Sequence, residues 1–190
     1  DFLTRCLTDR LAHLPPAYDT LSAGGQMDAL DAYIAAQAAR PALSTGFPAL
    51  DRALDGGLYD GFYVLGAISS LGKTAFCMQL ADQLAQQGRD VLIFSLEMTA
   101  FELMARSVSR ETFLADATPR KSLSKTVRGV LDGKRYPHYP PAEVTHLAEA
   151  KQRYGSYAKH LWFREGDHET SLDFIRAEVV RHIRETGVRP

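Results

Sequence analysis

Gly72-Lys73-Thr74 closes a stretch that opens on Ala67: AISSLGKT, residues 67–74. The spacing satisfies [Ala/Gly]-x4-Gly-Lys-[Ser/Thr]. The stricter form with Gly first is not met, because Gly66 lies one residue too early. The chemistry tolerates alanine there. Such a loop works by turning successive backbone N–H groups inward around an anion, at a helix N-terminus whose dipole favours negative charge. Gly72 lets the backbone approach closely, Lys73 can reach β- and γ-phosphates, and the Thr74 hydroxyl can ligate Mg²⁺. The candidate phosphate-binding residues are Ala67, Ser69, Ser70, Leu71, Gly72, Lys73, Thr74 and Ala75.

Glu97 is the second candidate. It ends the apolar run DVLIFSL (90–96), which reads as a buried strand. In an open parallel sheet, ligands bind beyond the strand C-termini. A carboxylate placed there faces the same crevice as the loop and can polarise a water that attacks the γ-phosphate. Asp167, His168 and Glu169 also cluster, but adjacent residues on a turn rarely converge on one ion, so a solvated turn is the favoured reading. The five Lys and Arg between 121 and 135 read as an exposed loop with a short helix, with contact to nucleic-acid phosphates as the less favoured alternative. Trp162 reads as core.

The elements that must position these residues follow from periodicity. GFYVLGA (61–67) is short, apolar and β-rich, and reads as a buried strand leading into the loop. Residues 73–88 read as a helix with Phe76, Cys77, Leu80, Ala81 and Leu84 on one face, closed by Gly88. Thr99 and Glu102 form a capping-box pattern at the start of a helix over 99–114. A helix over 141–158, a strand over 160–165 and a helix over 170–187 follow. The last has a Thr170/Asp173 cap, a stripe of Leu172, Ile175, Val179 and Ile183, and a stop at Gly187. Strand, helix, strand, helix in this order predicts an α/β fold with a parallel sheet flanked by helices. Upstream, 14–25 reads as a linker, 26–40 as an alanine-rich helix, and FPALDRAL as one or two helical turns stopped by Gly56-Gly57. The division expected is a helical appendage over 1–43 and a core over 44–190. Leu30, Tyr33 and Ile34 are too apolar for a free helix and are expected to pack on the chain's own core or on a neighbour's.

Length and composition set outer bounds. The chain has 190 residues, 45% hydrophobic and 24% charged, with a formal net charge of −1. Global charge therefore gives no sign of nucleic-acid binding, and any such surface would be local. Its two cysteines, Cys6 and Cys77, lack partners at metal-ligand spacing and read as reduced thiols in a cytoplasmic protein. No apolar run approaches the ~18 residues that span a bilayer. The absence of an initial Met and the ending GVRP suggest a piece of a longer protein.

With these residues in view, the chain resembles replicative DNA helicases of the DnaB type, from about Ser44 onward. STGFPALDRALDGGL is similar to that family's opening segment, GAISSLGKTA to its Walker A loop, and IFSLEMTAFELMAR to its Ser-Leu-Glu-Met signature and following helix. Residues 115–160 match poorly. The resemblance implies a RecA-like ATPase domain using ATP and Mg²⁺, with Glu97 and Lys73 catalytic and Thr74 on the metal. It also implies a motor that moves along single-stranded DNA, in a hexameric ring. In that family the Walker B aspartate, the DNA-binding loops and the arginine finger lie further on, beyond the position of Pro190. Three other readings stay open: a recombinase or KaiC-like member of the same fold, a small-molecule kinase, and a module that binds nucleotide or assembles without turnover.

Overall fold

The computed structural model of the chain describes residues 23–167 and 170–190. The linker reading up to residue 22, Cys6, and His168 and Glu169 lie outside the described residues. Two compact units divide at Ala42/Leu43. The first contains helix α1 (Ala23–Ala38). Leu30, Tyr33 and Ile34 are exposed in the single chain.

The second unit begins with an antiparallel bridge. The N–H of Leu43 donates to Leu58 O at 2.8 Å, and Leu58 N–H returns to Leu43 O at 2.7 Å. Between them lies the short helix α2 (Pro48–Ala53). Asp51 ties this segment together: it accepts from Ser44 Oγ at 2.6 Å, from Thr45 Oγ1 at 2.5 Å and from Thr45 N–H at 2.8 Å. These bonds hold its carboxyl below the usual carboxylate range. Gly57 has φ +142, and a Cβ there would stand 2.2 Å from Leu43 O. Only glycine lets the two strands of this bridge meet.

The core is built from α3 (Lys73–Gln86), β1 (Val91–Ser95), α4 (Ala100–Ala115), α5 (Val127–Leu131), α6 (Pro141–Ala158), β2 (Leu161–Glu165) and α7 (Leu172–Thr186). β1 and β2 are parallel, from Val91 opposite Leu161 to Ser95 opposite Glu165. α4 packs on α6 and α5, and α3 packs on both α4 and α6. Ala81, Ala85, Val108, Leu147, Ala150, Tyr154 and Leu161 are among the buried residues where these elements meet. The capping box at Thr99 is present, with Thr99 accepting from Glu102 N–H and Glu102 accepting from Thr99 N–H.

Four expectations are corrected. The stretch 61–66 belongs to no ladder: Phe62 is 92% and Val64 80% exposed. A strand exists only where a neighbouring backbone pairs with it. Here a cavity of about 540 Å³, lined by Tyr63, Leu65, Cys77 and Ile93–Met98, separates the stretch from β1. The buried face of α3 is Met78, Ala81, Asp82 and Ala85; of the predicted stripe Ala81 lies on it, Phe76, Leu80 and Leu84 are half-buried, and Cys77 is exposed. That face turns toward α4 and α6, whereas Cys77 borders the open cavity. On α7 the cap is Ser171, whose Oγ accepts from Phe174 N–H, and Leu172 is 83% exposed. Glu178 and His182 are buried instead, because Arg164 and Asp90 offer them partners. The short helix expected between 121 and 135 is present as α5, but the residues around it are folded with two 3-10 turns rather than an open loop. Asp116 organises them by accepting from Thr118, Leu123 and Ser124 N–H at 2.7–2.8 Å. Burial alone would raise its pKa, but these bonds and the Thr118 hydroxyl outweigh it and hold it at about 2. Trp162 is half-buried, edge-on to His182 at 4.9 Å between centroids.

Candidate phosphate-loop site

The loop 67–72 delivers a sharp turn and then a helix. Ser70 has φ +65 and Gly72 φ +95, so two left-handed residues flank Leu71, whose N–H returns to Ile68 O at 3.3 Å. A non-glycine residue held at positive φ stores strain of about 1–3 kcal/mol and is characteristic of ligand-clamping loops. Gly72 is the N-cap of α3 and supplies no side-chain cap. The N–H groups of Ser69, Ser70, Gly72, Lys73, Thr74 and Ala75 have no acceptor among the described residues. Open space surrounds the position a Gly72 Cβ would take. Unclaimed donors at a helix N-terminus fit an anion well.

These amides border a cavity of about 400 Å³ lined by Ala67, Ser69, Ser70, Gly72, Lys73, Thr74 and Ala75. Leu71 points outward and is exposed. Glu97 lines the same cavity, two residues beyond the end of β1. A tight turn places it there: Ser95 Oγ donates to Met98 O at 2.6 Å and accepts from Met98 N–H at 3.1 Å. The neighbouring strand end is fixed to the next helix, since Ala100 N–H donates to Glu165 Oε1 at 2.7 Å. The predicted loop residues other than Leu71 and the predicted carboxylate therefore share one cavity.

Arg106 also lines it, and sequence reasoning missed it. It sits on α4, nine positions after Glu97, and the capping box at Thr99 sets the rotation that turns it inward. The available signal was a basic residue on the inner face of a helix that starts at a sheet's C-terminal edge. Asp167 is not in this cavity. Among the described residues no group of three His, Cys, Asp or Glu is arranged to hold a metal.

The fold and loop define a P-loop α/β protein of the RecA-like kind. Residues 42–129 match the family described as the DnaB-like helicase C terminal domain. The chain is 41% identical over 68 residues to the replicative DNA helicase DnaB of Pasteurella multocida (strain Pm70), covering 35% of this chain and 15% of that protein. Its identity to that of Treponema pallidum (strain Nichols) is 37% over 82 residues, covering 43% and 19%. A solved structure of an ATPase domain superposes with a TM-score of 0.64 at 19% identity, covering 87% of this chain and 54% of that one. Residues 42–129 are thus similar to part of a DnaB-like helicase C-terminal domain. The chain spans 15–19% of the length of these curated relatives.

Proposed function

We propose that this chain binds ATP with Mg²⁺ through the loop 67–75 and belongs to a motor that couples ATP hydrolysis to movement along single-stranded DNA. The observation that carries this reading is the shared cavity of Lys73, Thr74 and Glu97, in a segment similar to replicative helicases. The free N–H groups of Ser69, Ser70 and 72–75 would surround the β-phosphate. The Lys73 amine would neutralise charge on the β- and γ-phosphates, and the Thr74 hydroxyl would ligate the metal. Mg²⁺ held through Thr74 would supply charge neutralisation for the phosphate groups. Glu97 would accept a hydrogen bond from water and hold its oxygen toward the γ-phosphate.

The relatives' printed names support action in DNA replication. A ring of six copies in the cytoplasm is the assembly this reading carries with it. No helix among the described residues is long and apolar enough to cross a membrane. Calorimetry with ATP and Mg²⁺ tests the site. Lys73→Ala should abolish binding, and a variant that binds as tightly as the parent would remove the phosphate-loop assignment.

A further inference from the structure

A second cavity, about 470 Å³ in volume, lies between α3 and α4 and is closed by 124–127. It takes no part in the site above except that Ala75 and Arg106 border both. Two arginines one helical turn apart, Arg106 and Arg110, line it. The Nε atom of each is buried and has no acceptor among the described residues. An unmet buried donor is costly, and more so on a charged group.

The other charged groups of the cavity are engaged. Asp82 accepts from Ser107 Oγ and from Arg110 Nη2, both at 3.0 Å. Lys125 points its amine away, to Glu143 at 2.5 Å and over the Tyr139 ring at 4.6 Å. The unused donors here are the Nε–H groups of Arg106 and Arg110, the latter on a guanidinium that also meets Asp82 at 3.0 Å and Glu111 at 3.6 Å. Met78, Phe113 and Val127 supply apolar lining. The volume lies within the range of small-ligand sites.

Guanidinium donors a turn apart suit an oxyanion with several acceptor oxygens, and an aromatic wall suits a planar body. We propose that this cavity is a second ligand site, separate from the phosphate loop, for a phosphomonoester of nucleoside size. Arg106 and the Arg110 Nε–H take the phosphate, and Phe113 packs on the organic part.

The test uses the Lys73→Ala chain, titrated with adenosine monophosphate and with inorganic phosphate and followed residue by residue by ¹H–¹⁵N NMR. Saturable shifts are expected along 106–113 and 124–127 with both probes. Adding Arg106→Gln should weaken both about tenfold or more, the size expected for a lost charged hydrogen bond. Adding Phe113→Ala, at a half-exposed ring, should weaken the nucleotide but not inorganic phosphate. Shifts confined to 69–75, no saturable shift at millimolar probe, or affinities unchanged by Arg106→Gln would each overturn the proposal. Failure of the ATP reading is a separate result: Lys73→Ala would then bind ATP like the parent, and the second cavity's titration would stand by itself.

Discussion

Asp90 and His182 are 92 positions apart in sequence, and the His182 ring meets the Asp90 carboxylate at 3.1 Å, Nε2 to Oδ2. The other carboxylate oxygen takes His160 Nδ1 at 2.7 Å. One aspartate thus joins the start of β1, the residue before β2, and α7.

Removing this clamp should be costly. Asp90→Ala deletes two hydrogen bonds and leaves the buried His182 Nε2 without a partner. The expected loss is about 2–4 kcal/mol, measured as a lower urea midpoint. A change below about 0.5 kcal/mol, the usual size at a neutral surface position, would show that the clamp adds nothing.

Gly57→Ala should also destabilise. The new methyl meets the Leu43 carbonyl at 2.2 Å, and φ +142 is foreign to L side chains. Strain and overpacking together suggest about 2–4 kcal/mol, readable by thermal denaturation. Parent-like melting would mean that the 43–58 bridge is not formed in solution.

Two buried aspartates give opposite pH dependences. Burial, the larger influence, pushes the Asp82 carboxyl up to about 6 from 3.8, against the pull of Ser107 and Arg110. Between these values the folded chain holds the extra proton, so this contribution favours the fold below about pH 4 and is lost as pH rises through about 6. Asp116 is held at about 2. Its contribution is present above about pH 4 and is lost as pH falls through about 2. Urea midpoints across this range should show the first slope removed by Asp82→Asn and the second by Asp116→Asn. Slopes that survive these substitutions would assign them to other groups.

Glu97→Gln separates holding from hydrolysis in the whole protein. The amide keeps the shape but cannot accept a proton, so turnover should fall by about 10²-fold or more, the usual contribution of a general base. ATP affinity should be nearly unchanged. Phosphate release and calorimetry decide this, and turnover within a few-fold of the parent would make Glu97 a bystander.

By itself the sequence determined several features that depend on spacing along a few residues. AISSLGKT at the start of a helical pattern sufficed for a turn with free N–H groups at a helix start, because that geometry is set by consecutive residues. Thr99 with Glu102 sufficed for a helix start, because a capping box spans three residues. Val91–Ser95 and Leu161–Glu165 were legible as strands from apolar runs. The tertiary structure alone decided what depends on which surfaces meet. GFYVLGA has a strand's composition yet lies unpaired, since a ladder needs a second backbone beside it. The inward face of α3 is set by α4 and α6, so Asp82 is buried and Cys77 is not. Arg106, the third charged group of the loop cavity, is one arginine among many until α4 turns it toward Lys73 and Glu97. Glu178 and His182 lie off the predicted stripe of their helix, and only partners 14 and 92 positions away, Arg164 and Asp90, make their burial favourable.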